Sequence, residues 1–520
     1  MDRLKFLNQL DLNLNWDVII IGGGATGLGT AVDAASRGYK TLLLEQADFC
    51  KGTSSKATKL VHGGVRYLAQ GNIALVREAS IERGLLYKNA PHLFENLNFM
   101  IPNYSYFDNL LYTIGLKFYD LLAGSLSLGA SKYVSKTNGL LQTNNIKGSG
   151  LKGFTKYHDG QFDDSRLAIN LAQTAIKHGA CVLNYFKVNG LIKENNLVKG
   201  VIAQDVFTNN KYSLKANVVI NATGVYADDI LKLDVGKHTP TIQPSQGVHI
   251  TVAKQFYPND TALMIPKTTD GRVLFLIPWH DKVIIGTTDT KVNTFDLEPV
   301  ALSQEINFIL ENCKKYLVKA PKPSDVLSVF AGLRPLAAST SNKTKEISRS
   351  HKIIVSKSNL ITIIGGKWTT YRKMAEDVLN KAISKKMIPP KICKTKQLKI
   401  HGFSIPQSHN NPFYFYGSDV KKLKKIEEEQ VEFKEKIHPN YPYTKACVIL
   451  AVRNEMALKV EDVLARRIRL LFLDAKAACE SAQIVATVMA TELGHDTTWI
   501  LKEVDEFMLL ANKYQIKNLL

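Results

Sequence analysis

Apolar positions along this chain fall into two patterns. Unbroken β-branched runs stand at Asp17–Ile21 (DVIII), 217–221 (NVVIN) and 361–364 (ITII), and each reaches a glycine within three residues. Continuous runs of that length, without polar alternation, predict strands buried on both faces, as in a parallel sheet covered by helices. An Ala-rich helical stretch follows the first run as far as Arg37, and a further strand is predicted over Lys40–Leu44. Phe275–Trp279 (FLIPW) opens a strand hairpin of a second sheet, in which Asp289 reads as a turn cap and Pro278 and Gly286 as structural punctuation. After Pro389-Pro390 the pattern turns helical to the end, with a linker near 402–415 (GFSIPQSHNNPFYF). Leu110–Ala130 carries only Lys117 and Asp120 as charges. It reads either as an amphipathic segment at a membrane interface or as a buried helix, the second being favoured. No run of 18 or more apolar residues occurs, so no membrane-spanning helix is expected.

The first strand runs into Gly22-x-Gly24-x-x-Gly27, and the second strand ends in Glu45, 18 positions after Gly27. Each part has a physical task in binding a dinucleotide. Gly22 permits the tight turn, Gly24 lets backbone approach a pyrophosphate, and Gly27 lets helix and strand pack closely. The helix N-terminus offers free N–H groups to phosphate, and Glu45 is placed to accept hydrogen bonds from ribose hydroxyls. An acid there disfavours a 2′-phosphate.

Residues 52–68 (GTSSKATKLVHGGVRYL) are rich in small and hydroxylated side chains, among them Thr53, Ser54 and Ser55, with paired glycines at Gly63 and Gly64. Such a loop can lay donors along a phosphate and a flavin ring. Ala222-Thr223-Gly224 and Gly365-Gly366 repeat the strand–glycine–helix junction. Three junctions around one nucleotide fit extended FAD better than NAD.

These segments, together with FLIPWHDKVIIGTTDT (275–290), FAGLRPL (330–336), GGKWTTYR (365–372) and VRNEMALKVEDVLARRIRLLFLDAKAA (452–478), resemble the FAD-dependent glycerol-3-phosphate dehydrogenases, within the D-amino-acid-oxidase-like flavoproteins. The resemblance covers residues from about 16 to about 495. It implies an α/β Rossmann-like FAD-binding domain (16–235 and 350–385, with part of a substrate cap inserted), an α+β substrate domain (236–349) and an all-α C-terminal domain (390–520), after a short lead (1–15). It also implies oxidation of sn-glycerol 3-phosphate to dihydroxyacetone phosphate, hydride moving from C2 to flavin N5 and electrons passing to membrane quinone.

By residue, the resemblance matches Arg334 and Arg349 to substrate-phosphate arginines, a task suited to guanidinium forks. Lys367 falls near the isoalloxazine carbonyls, where a cation stabilises reduced flavin and contacts substrate. Gly366, Trp368, Thr369 and Thr370 complete that cofactor junction. His62 is the first candidate for the base that takes the C2 hydroxyl proton, with Arg66 and Tyr67 bordering substrate.

Composition narrows the partners. The chain has 520 residues, 67 basic and 47 acidic, a net charge of +20, and is 45% apolar and 22% charged, which excludes a disordered chain and predicts two or three domains. The basic excess suits an anionic partner or merely solvated helix faces, such as Val420–Lys425 ahead of Glu427, Glu428 and Glu429. The six cysteines show no zinc-like spacing and no disulfide framework, so neither metal nor oxidising compartment is expected. The first sixteen residues read as neither secretory signal nor transit peptide. The expected setting is a cytoplasmic enzyme peripherally attached to an inner, anionic membrane, with a homodimer left open. Two alternatives stand beside it: a flavoenzyme acting on an amino acid or 2-hydroxy acid, whose carboxylate one arginine suffices to hold, and an RNA-binding flavoprotein. No basic-aromatic stacking stretch supports the latter, so nucleic acid is not an expected partner.

Overall fold

A computed structural model of the chain describes residues 1–12, 15–68, 71–293, 295–338, 350–405 and 411–519, with the side chains of Arg66 and Tyr67 also outside the description. Two sheets dominate it. The first has eight strands, with His351–Val355, Ile361–Gly365, Lys211–Asn221, Asn15–Ile21, Thr41–Leu44 and Cys181–Leu183 in spatial order. The three β-branched runs lie side by side and parallel at its centre: Val18 pairs with Val218 and Ile20 with Ile220, while Ile220 pairs with Ile361. Val18, Ile19 and Ile20 are wholly buried, as a sheet covered on both faces requires. The helix Ala25–Ser36 packs between Tyr371–Ser384 and Asp164–Lys177.

The second sheet has ten strands. The long strands Ile242–Ala253 and Val326–Ala337 pair antiparallel at one end, and the Leu274–Trp279/Lys282–Gly286 hairpin continues it. Phe94–Asn103, Lys132–Ser135 and Gly153–Phe162 join the same sheet, so the substrate-side layer draws on chain well before residue 236. The helix Ser303–Tyr316 closes its core with Ile306, Ile309 and Cys313. Past residue 411 the described chain is helical, with Lys445–Glu455, Ala475–Leu493 and Thr497–Asn512 as its main members.

The helix Tyr106–Ala123 departs from the favoured expectation of a buried element. It buries Asn109, Leu116, Tyr119 and Ala123, yet turns Tyr106, Phe107, Leu110, Leu111, Ile114 and Leu121 outward, Tyr106 and Leu121 each 73% exposed. Its own inner stripe satisfies the core, and among the described residues nothing covers the other face. Among the described residues, no helix is long and apolar enough to cross a membrane.

Candidate active site

The parallel strands end on one side in a cavity of 870 Å³, at the upper end of ligand clefts at roughly 300–1,000 Å³. Gly22 begins it, with φ +107°, and a Cβ there would stand 2.7 Å from the Ala222 carbonyl oxygen. No larger residue fits that crossing of two junctions. Gly27 lies one helical turn on and faces away, where a Cβ would sit 1.8 Å from the Gly22 oxygen. Gly24 caps the helix in extended geometry without a side-chain acceptor, so the helix N-terminus opens into the cavity beside Ala25 and Thr26. Glu45 accepts from the Gly23 amide at 2.6 Å and the Ala47 amide at 2.9 Å. Burial pushes its carboxyl above the usual range, against those two amides.

The 50–58 loop forms the next wall. The Thr53 hydroxyl donates to the Leu333 carbonyl. Ser54 accepts from the Ala25 amide at 3.0 Å, and its own carbonyl accepts from the Trp368 indole at 2.8 Å. Ser55 points away from the cavity, its hydroxyl donating to the Gly52 carbonyl at 3.3 Å. Ala222, Gly224, Gly366, Lys367, Trp368 and Thr369 line the remainder, drawn from the second and third junctions. Thr370 sits behind them and donates to the Lys367 carbonyl at 3.3 Å.

His62 also lines the cavity, its amide donating to the Thr369 hydroxyl at 3.3 Å. Gly63 and Gly64 stand behind that surface: the Gly63 amide donates to the Tyr119 hydroxyl at 2.7 Å, and Gly64 turns the chain at φ +86°. Arg66 and Tyr67 follow in the short helix Val65–Leu68, their side chains outside the described set. Arg349 lies outside the described residues altogether.

At the far end stands Arg334, on the strand where it pairs with Ser245. Its guanidinium donates to the Thr287 hydroxyl and the Thr288 carbonyl, both at 3.0 Å, and lies 3.5 Å from the Asp289 carboxylate. Asp289, which also accepts from Ser245, is therefore more than a turn cap: it is an anionic brace for the arginine.

The sequence reading missed His249. It lies two residues beyond Gly247, also in the cavity wall, on the same strand face. Its ring stacks on Phe330 at 4.9 Å and shares a 3.0 Å hydrogen bond with the Thr58 hydroxyl. Burial, with Arg334 and Lys59 nearby, holds its pKa well below the ordinary value, so it is neutral. No local pattern flags it, because its place in the cavity wall follows from the pairing of its strand.

Glycine crossings that exclude any Cβ, an open helix N-terminus, an acid at the end of the second strand and a long cavity running on to a braced arginine fit FAD. Fold and site together define an FAD-dependent oxidoreductase. Family comparison agrees: residues 17–372 match the FAD dependent oxidoreductase model, and 356–499 match the C-terminal domain of alpha-glycerophosphate oxidase. A probable mitochondrial glycerol-3-phosphate dehydrogenase of Dictyostelium discoideum is 40% identical, over 93% of this chain and 82% of its own. The Schizosaccharomyces pombe mitochondrial glycerol-3-phosphate dehydrogenase is 38% identical, over 95% and 87%. The solved Bacillus halodurans glycerol-3-phosphate dehydrogenase, complexed with FAD, superposes with a TM-score of 0.81 at 27% identity, covering 100% of this chain and 98% of its own. The chain belongs to the glycerol-3-phosphate dehydrogenase family of FAD-dependent oxidoreductases.

Proposed function

We propose that this chain oxidises sn-glycerol 3-phosphate to dihydroxyacetone phosphate and hands the electrons to a quinone at a membrane surface. The observation that carries the substrate reading is Arg334, a guanidinium fixed by four neighbours at the end of the cofactor cavity and suited to a phosphate monoester. FAD bound in this cavity would supply a two-electron acceptor for the hydride of substrate C2.

The chain's own groups do the rest. Gly22, Gly24 and the open helix end would hold the pyrophosphate, while Glu45 would take the ribose hydroxyls. Thr53, Ser54, Ala222, Gly224, Gly366, Trp368 and Thr369 shape the walls that orient the ring. Lys367 supplies positive charge where reduction leaves negative charge, and it steers the phosphate with Arg334. Arg349, Arg66 and Tyr67 belong to the proposed substrate contacts through the family resemblance. His62 takes the C2 hydroxyl proton as the C2 hydride leaves, so the alcohol becomes a ketone with both atoms accounted for. His249, held neutral and facing the same cavity, steers the substrate hydroxyl.

Membrane attachment rests on the outward face of Tyr106–Ala123. Seven large apolar residues lie open on it, Phe118 among them, and exposed lysines stand nearby: Lys117 on the helix itself, Lys132 on the strand Lys132–Ser135, Lys136 at the start of the helix Lys136–Gln142, and Lys152, whose ammonium lies 5.5 Å over the Tyr106 ring. An apolar stripe edged by lysines suits the interface of an anionic bilayer.

The test is turnover with a soluble dye or a short-chain quinone as acceptor. Dihydroxyacetone phosphate should form one-to-one with reduced acceptor, with glycerol, lactate and amino acids inert. Turnover of lactate or an amino acid in preference would replace this reading with that of a carboxylate-specific flavoenzyme.

A further inference from the structure

The 46–59 loop has two sides, and only one faces the cofactor cavity. Its other side meets the C-terminal helical domain through ions. Asp48, wholly buried, receives both terminal nitrogens of Arg467 at 2.7 and 2.9 Å and the Nε of Arg466. Lys51 donates to Glu461 at 2.7 Å, and Glu461 also holds Arg466 at 3.0 Å. Seven positions after Asp48, the Ser55 carbonyl accepts from Arg469 and from Lys59, each at 2.8 Å. Arg469 and Lys59 then share Asp164, at 3.0 and 2.6 Å, and the second oxygen of that carboxylate pair also takes the Ala57 amide at 3.1 Å. Arg466, Arg467 and Arg469 are 2%, 0% and 1% exposed.

Burying this many charges is costly until pairing offsets it, and an apolar seam would join two domains at lower cost. Ionic contacts instead fix direction. Burial pushes the Asp48 carboxyl up, but the two guanidiniums more than reverse this and hold it down to about 2. The contacts grip the loop at Asp48 and at Ser55, on either side of Cys50, Lys51, Gly52, Thr53 and Ser54, which line the cavity. Ser54 in turn accepts from the Ala25 amide at the helix end that faces the phosphates.

We infer that Arg466, Arg467 and Arg469 are positioning residues for the cofactor: the C-terminal domain completes the FAD site by clamping the 46–59 loop from behind. The inference rests on the reading of the cavity as the FAD site. It gives the C-terminal domain a task in cofactor retention that its own surface does not display.

The experiment compares FAD affinity of the apoprotein, by quenching of flavin fluorescence, in wild type, Arg467→Met, Arg469→Met and Arg453→Met. Arg453 belongs to the same domain but pairs with Glu429 and Glu492 at the exterior, away from the loop. Arg467→Met and Arg469→Met should raise the FAD Kd at least tenfold and shrink the rise in Tm that added FAD produces; Arg453→Met should do neither. Should Arg467→Met not fold, Asp48→Asn removes the same ion pair with a group of equal shape and must raise the Kd likewise. Folded clamp variants that lose thermal stability yet bind FAD with wild-type affinity would reduce the clamp to interdomain glue. Wild-type apoprotein that binds no FAD would instead overturn the cofactor reading beneath it.

Discussion

The Tyr119 hydroxyl accepts the Gly63 amide at 2.7 Å, and it ties the inner face of the Tyr106–Ala123 helix to the loop that carries His62. Tyr119 also donates to Asp159, 3.0 Å away, whose carboxylate holds Arg83. All four groups are buried, so their bonds have no water to replace them. Tyr119→Phe leaves the Gly63 amide only its longer contact to Asp159, at 3.4 Å, and takes the donor from the other Asp159 oxygen. It should cost about 1–3 kcal/mol of stability and slow flavin reduction while leaving FAD content intact. Urea unfolding and rapid-mixing reduction measure the two effects separately.

Arg334 is the substrate anchor in this account, and Asp289 its brace. Arg334→Ala should cost about 3 kcal/mol of transition-state binding, roughly two orders of magnitude in kcat/KM for glycerol 3-phosphate. Asp289→Asn should cost less, because the Thr287 and Thr288 contacts remain. Steady-state kinetics on both variants checks the ranking. Equal activity of Arg334→Ala and wild type would move the phosphate site elsewhere.

The outer stripe of Tyr106–Ala123 is proposed to lie in a bilayer interface. Leu110→Glu with Ile114→Glu, both fully outside the core, should leave dye-linked turnover unchanged and abolish co-sedimentation with vesicles of phosphatidylglycerol and phosphatidylethanolamine. Raised salt should weaken wild-type binding, since exposed lysines are screened.

His249 predicts a pH dependence. Its folded pKa lies below the ordinary value of 6.5 because burial disfavours the imidazolium. Below pH 6.5 the unfolded chain therefore binds the proton and the folded chain does not. Its contribution to stability is complete above pH 6.5 and is lost as the pH falls, with a slope approaching about 1.4 kcal/mol per unit. Urea unfolding of the holoenzyme between pH 7.5 and 5 should show a shallower loss in His249→Asn than in wild type.

That the glycine junctions converge on one cavity was readable from sequence, because their requirements are local. Gly22, Gly24 and Gly27 answer to a turn, an approach and a packing contact within six residues of one another. The substrate half was less so. His249 and the Thr287–Asp289 brace meet Arg334 only through strand pairing between residues far apart in the chain, His249 with Gly286 and Ser245 with Arg334, and no local pattern states that register. The Tyr106–Ala123 helix was misjudged for a related reason: periodicity shows that a face is apolar, not whether anything covers it. Arg466, Arg467 and Arg469 carry no local signal of their role, since a sequence does not show which acids lie opposite.

The most direct test is anaerobic. Glycerol 3-phosphate is added to the FAD-loaded protein in the absence of any acceptor, and the oxidised flavin absorbance is followed. Rapid, complete bleaching by glycerol 3-phosphate is expected, and none by lactate, amino acids or glycerol. A flavin band that persists with glycerol 3-phosphate, or bleaches with lactate instead, would contradict the proposed function.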